Sequence, residues 1–231
     1  MLVTAPFAGP VSFPLLVAKV LSKVDFELKN SCETSEVGDV ILDSIPNIAK
    51  NRREGYKLVA GVYVRMYSLI GNKNSPVIYT IREGTLADVN ARVYAKLTNK
   101  KEVINTTPDE AVRKAKEEGK LALVGIEVEI GEIFEDEMKK MSYLVPQCGI
   151  YSRVDPTPVI KAYEEGIRLM KEKQEEASMI ISSASKYYSL DVMRKIINIY
   201  DHQLTTKRSE LLKSLVLYSL VKPEVKELEV N

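Results

Sequence analysis

The sequence predicts an α/β protein of two lobes, one of them discontinuous, with mixed, mainly parallel sheets and a helical C-terminal part. Three observations carry this. Segments with strand periodicity alternate with segments of helical periodicity, the order that builds parallel sheets. That order restarts after residues 72–76 (Asn-Lys-Asn-Ser-Pro), the clearest linker in the chain. Beyond Pro156 and Pro158 the apolar spacing is helical to about Leu220.

Taken in order, residues 2–5 read as a short buried strand, and the Pro/Gly-rich residues 6–10 as a loop. Val11, Leu15, Val17 or Ala18, and Leu21 recur at helical spacing, with Ser12 and Pro14 suited to a helix start. Residues 24–28 alternate as a strand. Residues 37–44 are a turn followed by a buried strand, with Ser44 as an N-cap before Ile45 and Pro46. The helix opened there runs to about Arg53, and Gly55 ends it. Residues 57–70 form one long β-type segment.

After the linker, residues 77–81 predict a strand, 82–85 a turn, 86–97 a helix and 102–105 a strand. Thr107, Pro108 and two acids are a strong helix start, and Gly119 marks the end of that helix. Residues 121–124 read as a strand, 130–141 as an acidic helix and 144–151 as a strand interrupted by Pro146. Helix breaks fall near 182–185, 189 and 202–205.

Composition excludes several classes. Lys plus Arg (33) nearly cancels Asp plus Glu (32), so there is no basic excess of the kind a nucleic-acid partner needs. Two distant cysteines and one histidine give neither a disulfide framework nor a zinc motif, so no metal and no cofactor is expected. Nothing around Cys148 or His202 resembles a nucleophile motif. No apolar run is long enough for a membrane span, and the N-terminus does not read as a signal peptide. The chain as given is therefore expected to be cytoplasmic, or extracytoplasmic if a leader was removed.

Four pieces carry a resemblance to the type II periplasmic-binding-protein superfamily. They are the strand–loop–helix opening at residues 4–10, the strand and loop at 38–44, the turn at 82–85, and the late strand at 145–151. The chain resembles archaeal proteins related to solute-binding lipoproteins. More distantly it resembles the futalosine-pathway (menaquinone) enzymes and the thiamine-precursor-binding relatives. The resemblance implies lobe one from residues 1–74 and 145–231, with residues 76–143 as an inserted lobe two.

In open α/β sheets, ligands bind outside the carboxyl ends of the strands. That rule, applied to this topology, selects Thr4, Ala5, Pro6, Phe7 and Gly9 after the first strand, and Ser44 after the third. It also selects Arg82, Gly84 and Thr85, then Gly125 and Glu127, and Gln147 on the returning strand. Helix starts at Ser44 and Thr85 would favour an anionic group, and Arg82 a carboxylate. The implied function is binding of a small, carboxylate-bearing solute in an interlobe cleft. Alternatives are a lyase or dehydratase of menaquinone-biosynthesis type, with Asp43 or Glu127 as acid or base, and a regulatory or interaction protein. A transporter partner and a homo-oligomer stay open.

Overall fold

A computed structural model describes residues 1–231. In chain order the elements are β1 (Leu2–Ala5), α1 (Phe13–Leu21), β2 (Glu27–Asn30), β3 (Val40–Ser44), α2 (Ile45–Lys50), β4 (Lys57–Val64), β5 (Tyr67–Gly71), β6 (Val77–Thr80) and α3 (Leu86–Leu97). Then come β7 (Glu102–Asn105), α4 (Pro108–Glu117), β8 (Leu121–Gly125), β9 (Glu132–Ile133), α5 (Phe134–Lys140), β10 (Cys148–Ser152), α6 (Thr157–Glu172), α7 (Gln174–Ser185), α8 (Leu190–Ile196), β11 (His202–Thr205) and α9 (Arg208–Tyr218). The chain divides into two compact units, one of residues 1–64, 145–214 and 227–231, the other of residues 65–144 and 215–226.

The first unit is built on a six-stranded sheet of order β11-β4-β10-β3-β1-β2. β1 runs parallel to β2 and β3, whereas β10 is antiparallel to β3 and β4, and β11 to β4. Alternation along β1 and β3 sends Val3, Ala5, Val40 and Leu42, all fully buried, to one face. Thr4, Ile41 and Asp43 take the other. The β1–β2 crossover carries α1, but the connection from β2 to β3, residues 31–39, has no helix. A parallel connection of that kind usually lays a helix over the sheet; its absence leaves the Thr4–Asp43 face with room beside it.

The second unit has a five-stranded sheet of order β7-β6-β8-β5-β9, with β6 parallel to β7 and β8, and β5 antiparallel to β8 and β9. Its core holds Ile78, Val89, Val93, Leu121, Leu123 and Phe134. α3 and α4 are each capped as their sequences predict: Thr85 Oγ1 accepts from Asp88 N at 3.3 Å, and Thr107 Oγ1 from Glu110 N at 3.3 Å.

Several elements depart from the sequence expectation. The long β segment 57–70 is two strands: β4 pairs with β10 and β11, β5 with β8 and β9. The chain changes sheet at Arg65–Met66, ahead of the 72–76 linker. Residues 215–226, expected with the first lobe, fall in the second unit. Residues 202–205 are a strand rather than a break between helices, because β4 offers them an open edge. The helix expected at 130 starts at Phe134, since Glu132–Ile133 first adds to the edge of β5. Pro146 precedes β10 rather than interrupting it, as a central strand requires of a residue without an N–H. Ser12 does not cap α1. It lies in a 3-10 turn, and its hydroxyl donates to Gly9 O at 2.9 Å.

Candidate functional site

In the first unit, the open face of the sheet forms a pocket of about 350 Å³. Its floor is Thr4, Ile41, Asp43 and Tyr151, with Pro6 at the end of β1. Tyr151 joins them because the antiparallel register sets it opposite Ile41. The walls are Asn47 and Ile48 of α2, Asn51 just past its end, and the helix-free connection, from Ser31 to Val37. Arg53 stands where α2 has ended; its N–H donates to Tyr151 Oη at 3.0 Å, and that hydroxyl donates to Arg53 O at 2.9 Å.

Asp43 is the pocket's chemical centre. One carboxylate oxygen accepts from Ser44 N at 2.7 Å, and the other from the Asn47 side-chain amide. Burial pushes its carboxyl up to about 6, although both hydrogen bonds favour the charged form. No ion pair involves Asp43 or Arg53, whereas the pocket's other acid, Glu36, pairs with Lys29. Asp43 has no second carboxyl or histidine among its partners, so it forms no acid–base dyad.

Of the other residues selected in this unit, Ser44 caps α2, accepting from Asn47 N at 3.3 Å. Ala5 is fully buried, and its carbonyl accepts from Ser31 N at 2.9 Å. Phe7 N donates to Asn30 Oδ1 at 3.2 Å, tying the β1 loop to the end of β2. Gly9 closes a turn onto Pro6 O at 2.8 Å and has an ordinary extended backbone, φ −100°. Gln147 is buried, its amide donating to Val64 O at 3.1 Å. Thr4, Pro6 and Asp43 line the pocket; Ala5, Phe7, Gly9, Ser44 and Gln147 do not.

In the second unit, the carboxyl ends of β6 and β8 carry the remaining candidates. Gly84 sits at φ +80°, where glycine is favoured, and its N–H donates to Asp88 Oδ2 at 3.0 Å. Thr85 Oγ1 donates to Arg82 O at 2.8 Å. Asp88, 1% exposed, also accepts from Arg92 Nε at 3.0 Å and Asn105 Nδ2 at 2.8 Å. The turn is thus organised by Asp88, and the Arg82 side chain is exposed with no ion pair. Glu127 folds its carboxylate over Gly125, where a Cβ would lie 2.1 Å from Glu127 Oε1. Burial raises its pKa.

The sequence reading missed Asn47, Asn51, Arg53 and the 31–37 wall. Strand alternation groups Ile41 with Asp43 on β3, the β1–β3 register sets Thr4 beside Ile41, and helical spacing groups Asn47 with Asn51. Bringing Tyr151 and Arg53 to the same floor needs the β3–β10 register, which no local pattern encodes.

The two units, with their sheet orders and the crossing of the chain between them, define a periplasmic-binding-protein-like fold. The chain belongs to the family described as Protein of unknown function (DUF3834), whose model matches residues 1–203. A crystal structure from Thermoplasma volcanium, of a protein provisionally named for nitrate transport, is 46% identical with a TM-score of 0.94, covering 100% of this chain and 96% of that one. The periplasmic aliphatic sulphonate binding protein of Escherichia coli shares the fold at TM-score 0.63 and 9% identity, over 99% and 96% of the two chains. The ligand-binding component of an ABC-type import system from Staphylococcus aureus does so at 0.56 and 14%, over 100% and 95%. No curated protein sequence matches this chain. No helix is long and apolar enough to cross a membrane.

Proposed function

We propose that the protein binds a small solute, and that the pocket of the first unit holds it. The single observation that carries this is the pocket itself. It offers about 350 Å³ at the carboxyl ends of β1 and β3, with a desolvated carboxylate on its floor and amides and hydroxyls on its walls. That volume suits a molecule of metabolite size, and a few fixed polar groups on an apolar floor give orientation. The names of the structural relatives, a nitrate transport protein, a sulphonate-binding protein and an import-system ligand-binding component, support solute binding as the class of activity.

The test is native mass spectrometry of the purified protein against a denatured control. A ligand present at 100 times its dissociation constant adds about 2.7 kcal/mol to stability, so a tight one survives purification. A bound mass of a few hundred daltons, lost in Asp43→Ala, is the expected result. A bound mass that Asp43→Ala and Thr4→Val both retain would move the site out of this pocket.

A further inference from the structure

Resting on the pocket as the solute site, we propose that its ligand is a linear zwitterion, with an ammonium pole at Asp43 and a carboxylate pole at Arg53. The pocket is lined by three ionisable side chains of fixed charge sign, Glu36, Asp43 and Arg53. Glu36 is consumed by Lys29. Asp43 and Arg53 remain, one of each sign, and they make no ion pair with each other or with any other residue.

Their separation follows from the sheet. Asp43 and Ile41 are two residues apart on β3, about 7 Å along the strand. Tyr151 stands across from Ile41, and its hydroxyl holds the Arg53 backbone. Arg53 is therefore anchored at the Tyr151 end of the floor and Asp43 at the Ser44 end, and both residues line the pocket along with Ile41 and Tyr151. A ligand with a single charge would satisfy one end and leave the other unmatched. A molecule whose ammonium and carboxylate are spaced by an aliphatic stem matches both ends and lays its methylenes on Ile41 and Tyr151.

The hydrogen bonds Asp43 already accepts, from Ser44 N and Asn47, orient its carboxylate and leave lone pairs for a cationic donor. Arg53 has no side-chain acceptor of its own, and its planar guanidinium suits a carboxylate. The inorganic or sulphonate anions in the names of the relatives would meet only one of these poles.

The experiment titrates ε-aminocaproate, hexylamine, caproate and glycine by calorimetry into the wild-type protein, Asp43→Asn and Arg53→Gln. Thermal midpoints check that both variants fold. Alkylation of Cys32, the exposed thiol in the pocket wall, reports filling of the pocket independently of which ligand fills it. ε-Aminocaproate is expected to bind and to protect Cys32. Hexylamine, caproate and glycine should each bind at least about tenfold more weakly, the worth of one charge-assisted contact.

Asp43→Asn should erase the preference over caproate, and Arg53→Gln the preference over hexylamine. Equal binding of hexylamine overturns the carboxylate pole, and equal binding of caproate the ammonium pole. No binding of ε-aminocaproate, while a co-purified solute protects Cys32, overturns the zwitterion and leaves the pocket as the solute site. A co-purified solute that leaves Cys32 fully reactive overturns the pocket reading itself.

Discussion

Replacing Gly166 with alanine sets two known effects against each other. Gly166 lies inside α6, where alanine is favoured over glycine by about 1 kcal/mol in an exposed helix interior. Propensity alone predicts a more stable protein. The structure predicts the reverse, because a Cβ at this position would lie 1.9 Å from Pro14 O and 2.5 Å from Pro14 C, both backbone atoms of α1. An ordinary contact is about 3.5 Å, so the two helices would have to part by roughly 1.6 Å along that line. Backbone cannot swing aside as a side chain can, and α1 contributes the fully buried Phe13, Leu15 and Val17. Overpacking of this kind costs typically about 1–3 kcal/mol and sometimes more. The expected net is a loss of about 2 kcal/mol, a fall in Tm of roughly 4–8 °C for a chain of this length. Thermal and urea denaturation followed by circular dichroism measure it. A Gly166→Ala protein that melts at or above the wild-type midpoint would refute the claim that α1 and α6 touch backbone to backbone here.

Two further outcomes follow from buried polar groups. His202 is 3% exposed, with Nε2 2.8 Å from Pro10 O and the Tyr163 and Tyr200 rings beside it. Burial lowers its pKa from 6.5 to about 4, opposed by the Pro10 hydrogen bond and Asp201, with Lys171 acting in the same sense as burial. A folded-state pKa below the unfolded one means the unfolded chain takes up the proton first. The contribution is therefore complete above about pH 6.5 and is lost as pH falls toward 4, about 3 kcal/mol in all. Asp43, raised to about 6 from 3.8, acts oppositely: its contribution is present below 3.8 and lost by about pH 6. The stability difference between wild type and His202→Gln isolates the histidine; it should widen with pH between 4 and 6.5, and a flat difference would contradict the assignment. In the second unit, Asp88→Ala removes the acceptor for Gly84 N, Arg92 Nε and Asn105 Nδ2 at once. A loss of about 3 kcal/mol is expected, with faster hydrogen exchange at the Gly84 amide; unchanged exchange there would show that Asp88 does not hold the turn.

The sequence by itself determined the α/β class, most element positions and the capped helix starts at Ser44, Thr85 and Thr107. Those signals are local: alternation, helical spacing, a hydroxyl three residues before an N–H. It also determined that Thr4 and Asp43 lie near the carboxyl ends of strands, where open sheets bind ligands. Only the tertiary structure decided that the β segment 57–70 belongs to two sheets, because periodicity records which faces are buried but not which strand lies alongside. It decided that residues 202–205 are a strand, since four residues gain that form from the edge of β4 rather than from their own propensity. It placed Tyr151 beside Ile41, and Arg53 with it, through an antiparallel register between residues about a hundred positions apart. The pocket depends on that register and on a β2–β3 connection with no helix. Strand alternation identifies the floor residues on β1 and β3; long-range pairing sets which charges face each other across it.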